Sequence, residues 1–283
     1  MEVGIFCGFS SATPPAMMAA QVKAIEERGF HCIWVPEHVV LFEEYSSQYP
    51  YSEDGRIPGF GNGIMEPFTA LSFAAAHTST IRLGTSICLI TQRNPVYTAK
   101  QVADLDFLSG GRFNFGVGLG WLKEEFEALN TPWERRGQRA RDHLGVMQAL
   151  WMQETSSYTS DLYTLPPCVQ YPKPVQTPHP PVFFGGEGLP ALRRVAEIGQ
   201  GWLGAGLEPD EVAAKLPLLN DLLATAGRAR DDILVYTMPN RAAQPDDFAR
   251  YADLGVDQVI FMVGGRDIDG YLRRLDRMAN IAL

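Results

Sequence analysis

The chain is poor in the residues that build disulfide frameworks and metal centres. Its four cysteines, Cys7, Cys32, Cys88 and Cys168, contain no C-x-x-C pair, and three of them fall in apolar strand-like runs that suit buried, reduced thiols. The five histidines also lack ligand spacing, so no metal site is expected. No hydrophobic run approaches the roughly 18 to 20 residues that span a bilayer. Positive charge is short as well: 24 Lys and Arg stand against 33 Asp and Glu, a net charge of -9. That balance opposes attraction to nucleic acid or to anionic membranes, and neither is an expected partner. The opening Met-Glu-Val-Gly-Ile-Phe-Cys has neither the basic head nor the cleavage site of a leader; it reads as a strand, and the expectation is a cytoplasmic protein.

What is present is an alternation. Short apolar runs near Val3-Cys7, His31-Val35, Ile81-Cys88, Arg112-Val117, Val182-Phe184, Gly201-Gly204, Ile233-Tyr236 and Gln258-Val263 read as strands. Helical patterns lie between them, at Pro14-Arg28, Pro67-His77, Pro95-Leu108, Arg135-Met152, Leu189-Ile198, Pro209-Thr225, Pro245-Leu254 and Ile268-Met278. Several start at proline, which suits a first helical turn. Gly29, Gly110, Gly199, Gly227 and Gly255 follow helices where a left-handed cap is wanted. Parallel strands joined by helices put the chain in the α/β class, and the count of eight and eight predicts a (β/α)8 TIM barrel in one domain over residues 1–283. An open doubly wound sheet shares the alternation.

Two excursions break the rhythm. Residues 36–66, rich in Tyr, Ser, Gly and Pro, follow a strand directly and so insert at the C-terminal face, where they would cover the mouth; the aromatics between Tyr45 and Phe60 suggest a partly apolar pocket or a loop packed on itself. Residues 154–180 end in a proline-dense run that suggests a stiff surface crossing.

Candidate site residues cluster at predicted strand ends. Trp34-Val35-Pro36-Glu37-His38 puts an acid and an imidazole at the rim, where barrels keep catalytic groups. His38 there either passes a proton or fixes the long loop by hydrogen bonds. Gly84-Thr85-Ser86-Ile87-Cys88 offers small residues that would admit a planar ligand close to the backbone, or would simply ease packing. The Gly116-Val117-Gly118-Leu119-Gly120 run lets the fourth strand turn sharply under a ligand and is weak evidence for a dinucleotide. Gly185-Gly186-Glu187-Gly188 precedes a helix and could cradle phosphate on free N–H groups; Gly264-Gly265-Arg266 after the eighth strand is its rival.

In order along the chain, these segments resemble the luciferase-like superfamily. The resemblance rests on Trp34-Val35-Pro36-Glu37-His38, Leu83-Gly84-Thr85-Ser86, the run Pro95 to Gln101, Leu108-Ser109-Gly110-Gly111-Arg112-Phe113 and Gly116 to Trp121, then Lys173-Pro174-Val175-Gln176, Gly185-Gly186 and Gly201-Trp202. The set is similar to the coenzyme F420-dependent oxidoreductase branch. That resemblance implies a barrel, commonly a homodimer, whose mouth holds the deazaflavin F420 and passes a hydride to or from a small organic substrate; the alternatives are an FMN-dependent monooxygenase on the same barrel and a cofactor-binding protein without turnover. By the same resemblance, Glu37 and His38 are catalytic or touch the cofactor, a cis peptide at Ser86-Ile87 supports the ring, Gly116 and Gly118 lie beneath it, and Gly185, Gly186 and Gly188 take its phosphate. One departure stands out. Trp121 occupies the place where sugar-phosphate dehydrogenases of this kind carry a catalytic glutamate, which argues against glucose 6-phosphate; the aromatic there either favours a flatter, more apolar substrate or simply packs under the following helix.

Overall fold

A computed structural model describes every residue except Gly59, Phe60, Ala243 and Arg266. Eight parallel strands close into a barrel: β1 (Glu2–Phe6), β2 (Cys32–Val35), β3 (Arg82–Thr85), β5 (Phe113–Gly118), β8 (Val182–Gly185), β9 (Gly201–Ala205), β10 (Leu234–Met238) and β11 (Gln258–Met262). Closure comes from β3 pairing with β5, Leu83 opposite Phe113 and Gly84 opposite Asn114. The short strand β4 (Cys88–Leu89) extends β3 past a cis Ser86–Ile87 peptide and pairs with the end of β5. All eight strands expected from the sequence are barrel strands, and the closed order decides for the (β/α)8 barrel over an open sheet.

Helices α1 (Pro15–Glu27), α2 (Pro67–His77), α3 (Pro95–Ser109), α5 (Arg136–Met152), α6 (Leu189–Ile198), α7 (Pro209–Thr225), α8 (Pro245–Asp253) and α9 (Ile268–Ala282) surround the strands. Proline opens five of them, where its missing N–H costs nothing. Asn94 caps α3 by accepting from Val96 N and Tyr97 N. Gly29, Gly110, Gly227 and Gly255 take positive φ as expected. Gly199 does not: its φ is -88, and a Cβ there would sit 3.1 Å from Phe184 Cδ2 and Val195 Cα, so it serves close packing between α6 and β8.

One part of the core lies between strands and helices. The other fills the barrel bore with Phe6, Cys32, Trp34, Phe183, Leu203, Tyr236 and Ile260. Trp34 dominates the bore, its indole donating to Gln258 Oε1 at 2.7 Å. Gly84 exists for this ring, since a Cβ there would fall 2.3 Å from Trp34 Cε3. Packing, not access for a ligand, is its role.

Two elements escaped the sequence reading. Within residues 154–180 lies an antiparallel hairpin, β6 (Ser156–Thr159) with β7 (Thr164–Cys168); Tyr158 packs over Gly145 and donates to Asp142 Oδ1 at 3.0 Å. The stiff proline crossing is confined to the stretch that follows. The short helix α4 (Lys123–Ala128) follows β5 and matters to the site. Among the described residues no helix is long and apolar enough to cross a membrane, and no group of three or more His, Cys, Asp or Glu could hold a metal ion.

Candidate active site

At the C-terminal ends of the strands a cavity of about 310 Å³ opens. It is lined from strand ends by Phe6, Glu37, His38, Ser86, Ile87, Gly118, Trp121, Gly185, Gly186 and Met238, and from the long loop by Tyr49, Tyr51, Ile57 and Ile64. The excursion after β2 therefore covers the mouth, as its position in the sequence implied; its Phe60 lies outside the described residues. Eight of the ten expected site residues meet here.

The other two stand apart. Gly116 lies one step inside the barrel, where a Cβ would come within 1.9 Å of Thr85 O, so it allows β5 to pass β3 and does not line the cavity. Gly188 is the N-cap of α6 and also lies off the wall. Gly118 and Gly185 do form a floor, and the side chain of Ile87 fills what their missing side chains leave: a Cβ on Gly118 would lie 1.9 Å from Ile87 Cδ1, and on Gly185 3.0 Å. The glycines of the rival loop do not line the cavity. Gly265 abuts Tyr271, and Gly264 O accepts from Arg274; Arg266 lies outside the described residues.

Glu37 and His38 are neighbours with different surroundings. Glu37 is buried, and both oxygens are engaged: Oε2 accepts from Leu89 N at 2.5 Å and Oε1 from Arg93 Nε at 2.6 Å. Arg93 also reaches Glu66 and Gln101 and lies over the Phe68 ring. Glu37 thus ties the end of β2 to the β4–α3 connection, the geometry of an anchor. His38 faces the cavity, with Nδ1 2.9 Å from Glu125 Oε2 and Nε2 accepting from Trp121 Nε1 at 3.3 Å.

Glu125, on α4, is the residue the sequence reading missed. It is fully buried, and it accepts from Val39 N at 2.6 Å, Val40 N at 3.3 Å and Gln92 Nε2 at 3.1 Å besides facing His38. Burial opposes its charge, yet the His38 ring, Gln92 and the Val39 amide outweigh that and hold its carboxyl below the ordinary range. A signal was there to read: Glu125 follows Trp121 by four residues, one helical turn beyond a rim position. Its neighbour Glu124 accepts from Ser46 N and Ser47 Oγ, both at 2.7 Å. Slight burial works against that charge too, but the Ser47 and Ser46 donors bring the carboxyl down to about 2. Together the two glutamates clasp the long loop to the end of β5.

Aromatic rings complete the wall. Trp121 meets His38, Tyr45 and Tyr49 edge-on, with centroids 5.7, 5.7 and 5.2 Å away. Opposite, Arg194 of α6 reaches the cavity, and its buried Nε has no hydrogen-bond partner. Burial, and then Arg141 nearby, lower its pKa more than the Glu197 charge raises it.

A closed (β/α)8 barrel with an acid, an imidazole and a glycine floor at its C-terminal mouth is the architecture of a barrel enzyme site. The chain belongs to the luciferase-like monooxygenase family, whose model matches residues 1–274. It is 34% identical over 263 residues to an uncharacterized protein of Mycobacterium tuberculosis, covering 92% of each. It is 29% identical over 214 residues to the F420-dependent glucose-6-phosphate dehydrogenase of Microbacterium testaceum, 74% of this chain and 58% of that one. Over 193 residues it is 27% identical to the FMNH2-dependent dimethylsulfone monooxygenase of Pseudomonas putida, 67% of this chain and 53% of that one. Among solved structures, the coenzyme F420-dependent tetrahydromethanopterin reductase of Methanopyrus kandleri superposes with a TM-score of 0.78 at 18% identity, covering 99% and 98% of the two chains.

Proposed function

We propose that this protein is a coenzyme F420-dependent oxidoreductase acting on a small, largely apolar organic substrate. The observation that carries the reading is His38: an imidazole on the wall of a covered cavity, held from behind by a buried carboxylate, beside a floor made by the Ile87 side chain seated on Gly118 and Gly185. The residues fit a flavin-like group on two counts. A flat ring needs a smooth apolar support, which Ile87 seated on Gly118 and Gly185 offers, and an anionic tail needs an unpaired cation such as Arg194, whose buried Nε lacks a partner.

In this reading Ile87, Gly118 and Gly185 bear the ring, and Arg194 with the Gly185-Gly186 turn at the start of α6 takes the phosphate. When bound, the deazaflavin supplies a two-electron hydride carrier. The chain's own contribution is placement and proton handling. Glu37 fixes the rim through Arg93, Tyr49, Trp121 and Ile57 keep water from the substrate, and His38 holds or receives a proton at Nε2. Trp121, where the sugar-phosphate enzymes carry an acid, directs the wall toward apolar substrates.

A monooxygenase using reduced FMN is the second reading, favoured by the Pseudomonas relative. Fluorescence titration of the apoprotein with F420 and FMN side by side separates the two: tight F420 and weak FMN binding is expected, and preference for FMN overturns the first reading. His38→Ala is expected to keep cofactor affinity and lose about 10²–10⁴ in turnover, the usual share of general acid–base catalysis.

A further inference from the structure

We infer that Glu125 is a positioning residue that sets the tautomer of His38, keeping its proton on Nδ1 and offering Nε2 to the cavity as an acceptor, with the Trp121 indole as its resident donor. The inference stands on the chain alone and does not depend on which cofactor is bound.

Two contacts lead to it independently. Glu125 Oε1 accepts from two backbone amides, Val39 and Val40, and Oε2 from the Gln92 amide. An ionised carboxylate only accepts, so the His38 Nδ1 at 2.9 Å must donate to it. On the other side, an indole nitrogen only donates, so His38 Nε2, 3.3 Å from Trp121 Nε1, must accept. Both contacts select the neutral Nδ1–H ring. An imidazolium would set two donors against each other at the Trp121 contact, and the Nε2–H tautomer would do the same while also facing a lone pair with a lone pair at Glu125.

The orientation has a chemical consequence. Nε2 meets the cavity as a lone pair already plugged by an indole N–H. A ligand engages it by presenting its own O–H or N–H and displacing Trp121, whereas a ligand with only acceptor atoms leaves the plug in place. His38 is thereby arranged to receive a proton in its first step. Glu125 does not touch the ligand; it acts through the ring.

Replacement by glutamine reverses the logic. With its carbonyl kept on the Val39 and Val40 amides, the new side chain turns its NH2 toward His38 Nδ1, which must then accept, moving the ring proton to Nε2. Gln92 can follow by an amide flip, since its Oε1 is buried and has no partner.

The test is long-range 1H–15N correlation on full-length apoprotein labelled at histidine, the His38 signals being assigned by their loss in His38→Gln. In the wild type at neutral pH, Nδ1 is expected to be protonated and Nε2 bare. In Glu125→Gln the two should exchange; in Trp121→Phe, where Glu125 is untouched, the Nδ1–H form should persist. A wild-type ring protonated on Nε2, or on both nitrogens, overturns the inference, as does a folded Glu125→Gln that keeps the wild-type pattern. If Glu125→Gln does not fold, Trp121→Phe decides: a switch to Nε2–H there would make Trp121 the determinant. Once a substrate is in hand, Glu125→Gln should lower kcat by about 10² or more with KM little changed.

Discussion

The Glu37–Arg93 pair is the most exacting place to test the site's construction, because one partner is almost wholly enclosed. The Glu37 side chain is 1% exposed and that of Arg93 15%. Arg93→Met keeps an unbranched stem over Phe68 while removing the cation, leaving the Glu37 carboxylate with only the Leu89 amide as a donor. Stranding one member of a buried pair costs about 3–5 kcal/mol. The 283-residue chain has an unfolding entropy of about 0.6 kcal/mol/K at ~2.1 cal/mol/K per residue, so the expected fall in thermal midpoint is about 5–8 °C. Adding Glu37→Gln to Arg93→Met removes the stranded charge but keeps an acceptor for Leu89 N, and should restore more than half of the loss. Circular dichroism melts of the wild type, both single variants and the double variant measure the coupling directly. A fall of only about 1–2 °C for Arg93→Met, the scale of a surface change, would refute the anchoring role, as would a double variant weaker than Arg93→Met alone.

The glycines of β5 should respond unequally. Gly118→Ala collides with the mobile end of Ile87, which can turn aside at about 1–3 kcal/mol, so the variant should fold and bind cofactor weakly. Gly116→Ala meets the Thr85 carbonyl at 1.9 Å, which cannot yield, and should give little soluble protein; equal melting points for the two would contradict the packing described. The pH response follows from His31, which burial and then the Arg82 charge bring down to about 4, and likewise from the pair His143 and His179. Burial lowers both pKa values, although each ring has a backbone carbonyl partner, Ile90 O or Pro180 O. The unfolded chain therefore binds more protons as pH falls through about 6.5, and stability should drop from pH 7.5 to 5.5. A His143→Gln variant should show a shallower slope, and a wild-type melting point that rises on acidification would reverse the assignment.

The fold was legible because its signals are local. Helices α6 and α7 were delimited correctly to the residue by proline near the start and a small residue beyond the end. The β6–β7 hairpin was not, since Thr164-Leu-Pro-Pro-Cys168 carries two prolines that speak against a strand, and only the Tyr158 contact over Gly145 makes it worthwhile. Glu37 and His38 could be placed at the rim from the end of β2 alone. Separating their roles required Arg93 and Glu125, 56 and 87 residues away, and no spacing rule links such positions. Gly84 and Gly116 show the converse: glycine announces close approach, but the partner, here Trp34 and the Thr85 carbonyl, is known only from the folded barrel.

The paired glutamates of α4 constrain how this protein can change. Glu125 holds the His38 ring and the backbone of the loop's first residues with the same carboxylate, while Glu124 holds Ser46 and Ser47. Substitutions that loosen the base of the loop therefore disturb the imidazole in the same stroke, and selection for a new substrate cannot freely rework that part. Beyond Ser47, no described residue of the loop is hydrogen-bonded to either glutamate, and Tyr49 reaches the imidazole only through its packing on Trp121. New specificities should accordingly arise by exchange of the cavity-lining side chains Tyr51, Ile57 and Ile64, leaving the chemistry of His38 intact.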